Sequence, residues 1–300
     1  MTHFRMTNHT RHPRLLSFSL AWLLLISSWL MPSSSYSQTG LKIQLVAETT
    51  AIVPGQSFRV GLFIQHEKGW HTYWRQPGIV GVPTTISWSL PEGFEAGPLE
   101  YPEPEATMMF QIKAQGYERD VLLQTEITAP ATLKPGQTIP LKGKASWMCC
   151  GTTCHPGFID LSLDLPVAPK SEPDARWHPI FAKERAAYAH PSEAWSAQAE
   201  EHGLKVTLRL KPASPQAKPL PADSISPGII FFTEDGWINS DEPQESHVES
   251  DGTLVMTLTR AEVFFGKSTP TKLHGILQRE GGWLADGTLR SLIISPDLRR

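Results

Sequence analysis

Three cysteines, Cys149, Cys150 and Cys154, fall inside the stretch SWMCCGTTCHPG (146–157), and the 300-residue chain has no other. Such a cluster can do one of three things. It can staple the fold, bind a soft metal or exchange disulfides. As a staple it is weak: a Cys150–Cys154 link closes a ring of only five residues, worth about 2 kcal/mol in the loop-entropy view. As a metal site, the thiolates with His155, and with Met148, Met108 and Met109 elsewhere, would suit Cu(I). Their spacing matches no closed zinc pattern. A small-ring disulfide in a surface turn suits redox exchange, where thiolate fraction and access set the rate.

The pairing depends on the strand that carries the cysteines. A Cys149–Cys150 link would be a strained vicinal ring. If a strand runs through Trp147, alternation places Cys149 with Trp147 on one face and Cys150 with Met148 on the other. Cys149 then packs inside as a small hydrophobe. The turn Gly151-Thr152-Thr153 brings Cys154 back toward Cys150. The expected link is Cys150–Cys154, with Cys149–Cys154 as the second choice.

Period-2 patterns supply such strands throughout. LKIQLVAE (41–48), SFRVGLFIQ (57–65), TTISWSL (84–90), VLLQTEIT (121–128), IPLKGKASW (139–147) and IDLSLDL (159–165) alternate apolar and polar residues between turns such as VPGQ and LKPGQ. Short alternating strands with Gly/Pro turns predict an all-β sandwich. The Pro-rich 169–177 reads as a linker. FAKERAAYA is the one short helix, and a second β series runs from LKVTLRL (204–210) to TLRSLII (288–294). The expected organisation is a first β domain at 38–168 and a second at 178–300. The second holds no cysteine.

The N-terminus carries Arg5, Arg11 and Arg14 without an acid, then an apolar run from about Leu15 to Met31, then small residues. It reads as a signal peptide, 1–37, cleaved before Gln38. Losing three arginines moves the formal charge from −3 to −6, which offers nothing to nucleic acid. No second run is long enough to span a bilayer. An exported, soluble chain of roughly 263 residues meets an oxidising compartment.

GWHTYWRQPGIVGVPTTISWSLPEGFEAGPLEYPEP (69–104), YERDVLLQTEI (117–127) and ASWMCCGTTCHPGFIDLSLDLP (145–166) together resemble the N-terminal periplasmic domain of DsbD-type thiol–disulfide interchange proteins, in the ScsB-like branch. The resemblance covers about 41–168. It implies an immunoglobulin-like domain that relays reducing equivalents between thioredoxin-like periplasmic oxidoreductases, as a protein-disulfide reductase component without a cofactor. The W-x-x-C-x3-C-x-P segment lands on Trp147, Cys150, Cys154 and Pro156. It implies that Cys154 exchanges with the partner and Cys150 resolves the mixed disulfide. ATMMFQIKAQGYERD (106–120) occupies the place of a cap loop, with Phe110 as its shielding phenylalanine. His71 and Tyr73 are the implied neighbours of the pair. Full-length members continue into membrane and thioredoxin-like domains. This chain stops at Arg300, so a separate membrane electron-transfer protein is the expected donor. Cys149 beside the pair is a departure from the pattern. Two other functions compete: a periplasmic copper-tolerance protein using Cys149, Cys150, Cys154 and His155, and a noncatalytic adaptor with a structural disulfide.

Overall fold

The computed structural model describes residue 1, residues 35–222, residue 225 and residues 228–300. The expected signal peptide lies outside the described residues, except for residue 1 and its last positions, 35–37, which begin β1. In chain order the first half contains β1 (Ser35–Gln38), β2 (Leu41–Ala47), β3 (Ser57–His66), β4 (Thr72–Tyr73), β5 (Thr85–Ser89), β6 (Glu95–Ala96), β7 (Glu105–Met109), β8 (Ile112–Tyr117), β9 (Val121–Thr128), β10 (Thr138–Cys150) and β11 (Cys154–Pro166). The helix α1 (His178–Ala186) follows. Then come β12 (Trp195–His202), β13 (Lys205–Pro212), β14 (Ile229–Thr233), β15 (Glu245–Val248), β16 (Leu254–Thr259), β17 (Gly275–Arg279), β18 (Ser291–Ile294) and β19 (Leu298–Arg299).

The first half is an immunoglobulin-like sandwich. One layer is the five-stranded sheet β1-β2-β3-β9-β6 and the other is β11-β10-β5. Alternation explains the burial. Ile43, Leu45, Val60, Leu62 and Leu123 from the first layer meet Leu141, Ala145, Trp147 and Leu163 from the second in one core, and their polar neighbours face away. A third small sheet, β4-β8-β7, stands outside these two layers. The second half repeats the plan with β15-β16-β13-β12-β19 and β14-β17-β18. Its core is centred on Trp195 and Trp283, edge to face at 5.3 Å. Each of their indole N–H groups donates to a backbone carbonyl, Trp283 O and Leu277 O respectively, so both rings are buried without an unsatisfied donor.

Helix α1 follows the expected linker, yet it packs on the first half. Phe181 inserts among Val46, Phe63 and Leu122. Buried Glu184 accepts from the Arg119 guanidinium at 2.8 Å, and Arg185 pairs with Glu48. The two halves also share apolar packing, because Phe232 and Ile276 of the second belong to the core of the first.

Two segments depart from the expected elements. The strands at 139–147 and 159–165 extend to the cysteines, forming an uninterrupted ladder from Thr138↔Pro166 to Cys150↔Cys154. The stretch expected as a cap loop, 106–120, contains the β7–β8 hairpin. Strand β8 alternates poorly because both of its faces are covered: Ala114, Gln115, Gly116 and Tyr117 are buried in succession.

Candidate redox site

The β10–β11 hairpin builds the site. Inward-facing Ala145, Trp147 and Cys149 belong to the sandwich core. Outward-facing Met148 and Cys150 belong to a separate small cluster with Tyr73, Ala114, Val80, Met109 and Cys154. Gly157 lies opposite Trp147 in the ladder. A Cβ there would stand 2.4 Å from the indole carbons, so only glycine lets the ring lie flat across the hairpin. That close approach fixes how the last turns of the ladder meet the core.

Cys150 and Cys154 are the last pair of the ladder and are joined by a disulfide, with Cα atoms 4.1 Å apart. The register that permits the bond comes from the strand's other edge. His71 and Cys150 exchange both backbone hydrogen bonds, His71 N to Cys150 O at 2.9 Å and Cys150 N to His71 O at 3.0 Å. The N–H and C=O of a strand residue point to one side. With both turned toward His71, the Cys150–Cys154 pair is of the non-hydrogen-bonded kind, in which side chains come closest. The turn Gly151–Thr153 closes beneath Trp70, where a Cβ on Gly151 would meet the indole at 2.8 Å.

The two cysteines of the bond differ in access: Cys150 is fully buried and Cys154 half-buried. His71 and Tyr73 lie beside the pair, their rings edge to face at 5.0 Å. Both are buried, and among the described residues neither His71 Nε2 nor the Tyr73 hydroxyl has a hydrogen-bond partner. Burial lowers the His71 pKa. Burial, with the charge of Cys149 second, raises the Tyr73 phenol to about 12. Tyr73 packs on Cys150 with Ala114, Val80, Met109 and Met148, while His71 pairs with the Cys150 backbone.

Cys149 is a free, fully buried thiol. Burial, assisted by the negative charge of Glu67, pushes it up to about 12. Near neutral pH the thiol therefore stays protonated and is a poor nucleophile. The four residues of the alternative metal set are therefore divided. Cys149 faces the core, the pair faces outward, and His155 Nε2 is 2.8 Å from Thr153 Oγ1 with its ring 5.5 Å from Trp70. Among the described residues, no three His, Cys, Asp or Glu side chains converge on a common point.

Phe110 stands at the β7–β8 turn with φ +57° and is 63% exposed. The residue of that turn that packs on the cysteine cluster is its neighbour Met109. Strand parity pairs Met148 with Cys150 but does not reach Val80, Ala114 or Met109, the other members of the pair's surroundings. Met109 carries a signal in the sequence, being apolar and next to the expected shield. Ala114 and Val80 carry none.

The family described as thiol:disulfide interchange protein DsbD, N-terminal, matches residues 42–166, which include the hairpin and both cysteines of the bond. These residues are a DsbD-type N-terminal domain. Among solved structures, the N-terminal periplasmic domain of ScsB from Proteus mirabilis is similar to this chain. The TM-score is 0.59 at 18% identity, covering 88% of this chain and 97% of that one. At that identity the likeness is one of fold. The YadV chaperone gives a TM-score of only 0.21 at 11% identity, over 85% of this chain and 99% of that one. No curated protein matches the sequence. The DsbD-type domain is a thiol–disulfide interchange domain, and it carries the Cys150–Cys154 disulfide. Among the described residues no helix is long and apolar enough to cross a membrane.

Proposed function

We propose that this protein relays reducing equivalents between thioredoxin-like oxidoreductases in the periplasm, reached through the signal peptide 1–37, with a separate membrane protein as the ultimate donor. The observation that carries the reading is the unequal burial of the bonded sulfurs. An incoming thiolate must approach along the disulfide axis, and half-buried Cys154 offers that approach while Cys150 does not. The donor's thiolate attacks Cys154 Sγ, the Cys150–Cys154 bond breaks, and Cys150 leaves as a thiolate that takes up a proton. The donor's second thiol then displaces Cys154, leaving a donor disulfide and a reduced pair. In the other half-reaction the Cys154 thiolate attacks an acceptor disulfide, and Cys150 resolves the mixed disulfide. Two electrons and two protons move at each exchange. The β7–β8 hairpin serves as the cap, with Met109 on the pair and Phe110 at the tip. His71 and Tyr73 form its inner wall. The similar structure's description as a periplasmic domain supports the compartment.

Trapping tests this directly. Mixed with an oxidised thioredoxin-like protein, reduced Cys150→Ala should accumulate a covalent complex on a nonreducing gel, because no resolving thiol remains beside Cys154. Cys154→Ala should accumulate little, since its remaining thiols are buried. Equal trapping by both variants would reverse or abolish the role assignment. If neither traps and both lose bound copper, the copper-tolerance reading replaces this one.

A further inference from the structure

Among the described residues, the sheet that covers the disulfide is tied to the second half of the molecule chiefly through 233–241, with one further bond, from Gln278 Nε2 to Pro104 O at 3.1 Å, just ahead of β7. Gln115 of β8 is buried, and its side chain behaves as a strand edge. Its Nε2 donates to Thr233 O at 2.9 Å and to Gln76 O at 2.6 Å, while its Oε1 accepts from Thr233 N at 2.8 Å. Its backbone N–H donates to Pro77 O at 2.8 Å, and its carbonyl accepts from Trp74 N at 3.0 Å. Two residues earlier on β8, the Lys113 N–H donates to Asp241 Oδ1 at 2.9 Å and the Lys113 carbonyl accepts from Ser240 Oγ at 3.1 Å. The same Ser240 hydroxyl accepts from Ile79 N at 3.2 Å, and Arg75 is ion-paired with Glu234.

The anchored residues bracket those that touch the pair. Ala114 lies between Lys113 and Gln115. Tyr73 and Val80 stand at the two ends of the anchored segment 75–79. All three belong to the Cys150 cluster. The sandwich core of the first half takes only Tyr117 from β7 and β8. The cover is thus placed by its bonds to 233–241 as well as by its own domain.

We propose that residues 233–241 of the second half position the cover over Cys150–Cys154 and so set which thiols reach the bond, with Gln115, Ser240 and Asp241 as positioning residues. This rests on the redox reading of the pair. Losing the anchors frees β8 and the 75–79 segment to move off Cys150, and a small thiol gains a path that the closed cover denies it.

The test uses the full chain. Glutathione reduces the bond in two steps: one glutathione thiolate forms a mixed disulfide, and a second releases glutathione disulfide, leaving two protein thiols. Asp241→Ala and the Ser240→Ala/Asp241→Ala double variant should raise the second-order rate of this reduction roughly threefold or more, because access is one determinant of exchange rate. Asp241→Asn keeps an oxygen acceptor for Lys113 N–H and should restore the wild-type rate. Amide hydrogen exchange at Lys113 should accelerate in the same order. An unchanged rate in the double variant overturns the proposal whether or not Lys113 exchange accelerates: either the cover moves without consequence, or it needs no anchor. A rate raised equally by Asp241→Asn also overturns it. If neither glutathione nor a reduced thioredoxin-like protein reduces the wild-type bond, the redox reading itself falls, a result separable from an unchanged ratio between measurable rates.

Discussion

The β10–β11 hairpin presents adjacent cysteines to two different environments. On its inner face, Cys149 packs with Trp147 in the sandwich core. On its outer face, Cys150 is covered by single side chains from short segments, Tyr73, Val80, Met109 and Ala114, and reaches the protein's edge through half-buried Cys154. Both Cys149 and Cys150 are fully buried, so burial alone does not separate a reactive sulfur from an inert one. The difference lies in what does the burying. The inner cover is the opposing layer of a sandwich and opens only when the domain unfolds. The outer cover is a three-strand flap whose main fastenings are hydrogen bonds, and local opening of such an element costs far less than global unfolding.

Alkylation kinetics give the largest expected contrast. After mild reduction of the bond at about pH 8, half-buried Cys154 should react readily with iodoacetamide. Cys149, pushed to about 12, should react slower by on the order of a thousandfold from its thiolate fraction alone. Peptide mapping of the labelled protein reads both rates. Rates within tenfold of each other would erase the distinction between the faces.

Truncating an aromatic on each face extends the contrast to stability. Trp147 is buried in the core and its Nε1 has no hydrogen-bond partner among the described residues, so Trp147→Ala removes apolar packing and should cost about 3–5 kcal/mol. Phe158 lies one residue from Gly157 on the outer face and is 71% exposed. Phe158→Ala should change stability by about 0.5 kcal/mol or less. Denaturant unfolding of the oxidised variants measures both. A large cost at Phe158 would mean that the outer face is packed more firmly than its exposure implies.

The sequence makes one side of this comparison plain and leaves the other obscure. Parity along Trp147, Met148, Cys149 and Cys150 is local information, and it alone assigns each cysteine its face. The strand VLLQTEIT (121–128) coincides with β9 because its inward residues meet a continuous apolar layer. The flap reads as a loop because IKAQGY has a weak period-2 pattern. Its burial comes from Gln115 bonding to Thr233, 118 residues away, and a buried glutamine carries no mark of its partner in sequence. The strand WSAQAEEH (β12) escapes the pattern for a related reason: only Trp195 and Ala199 of its inward positions are apolar and buried. Phe110 enters as a shield by family resemblance alone. The positive φ at the turn is a backbone property that no pattern of side-chain types reveals.

The smallest expected effect is a slope in alkaline stability. In an unfolded chain Cys149 loses its proton near 9, and in the folded protein near 12. Below the lower value both states hold the proton and the burial of the neutral thiol contributes fully. Between the two values the folded state alone holds it, so the unfolded state binds fewer protons and stability falls as pH rises, by at most about 1.4 kcal/mol per pH unit. Tyr73 and Tyr101, both raised from 10 to about 12 by burial, add slopes of the same sign, but only above about 10. The window from about 9 to 10 therefore isolates the thiol. Across it, wild type should lose stability more steeply than Cys149→Ala, and the difference in slope should persist to about 12, above 10 on top of a tyrosine contribution that both proteins share. Urea unfolding at closely spaced pH values resolves the difference. Equal slopes below 10 would mean that the inner face admits a thiolate, and the contrast drawn between Cys149 and the pair would then rest on geometry alone.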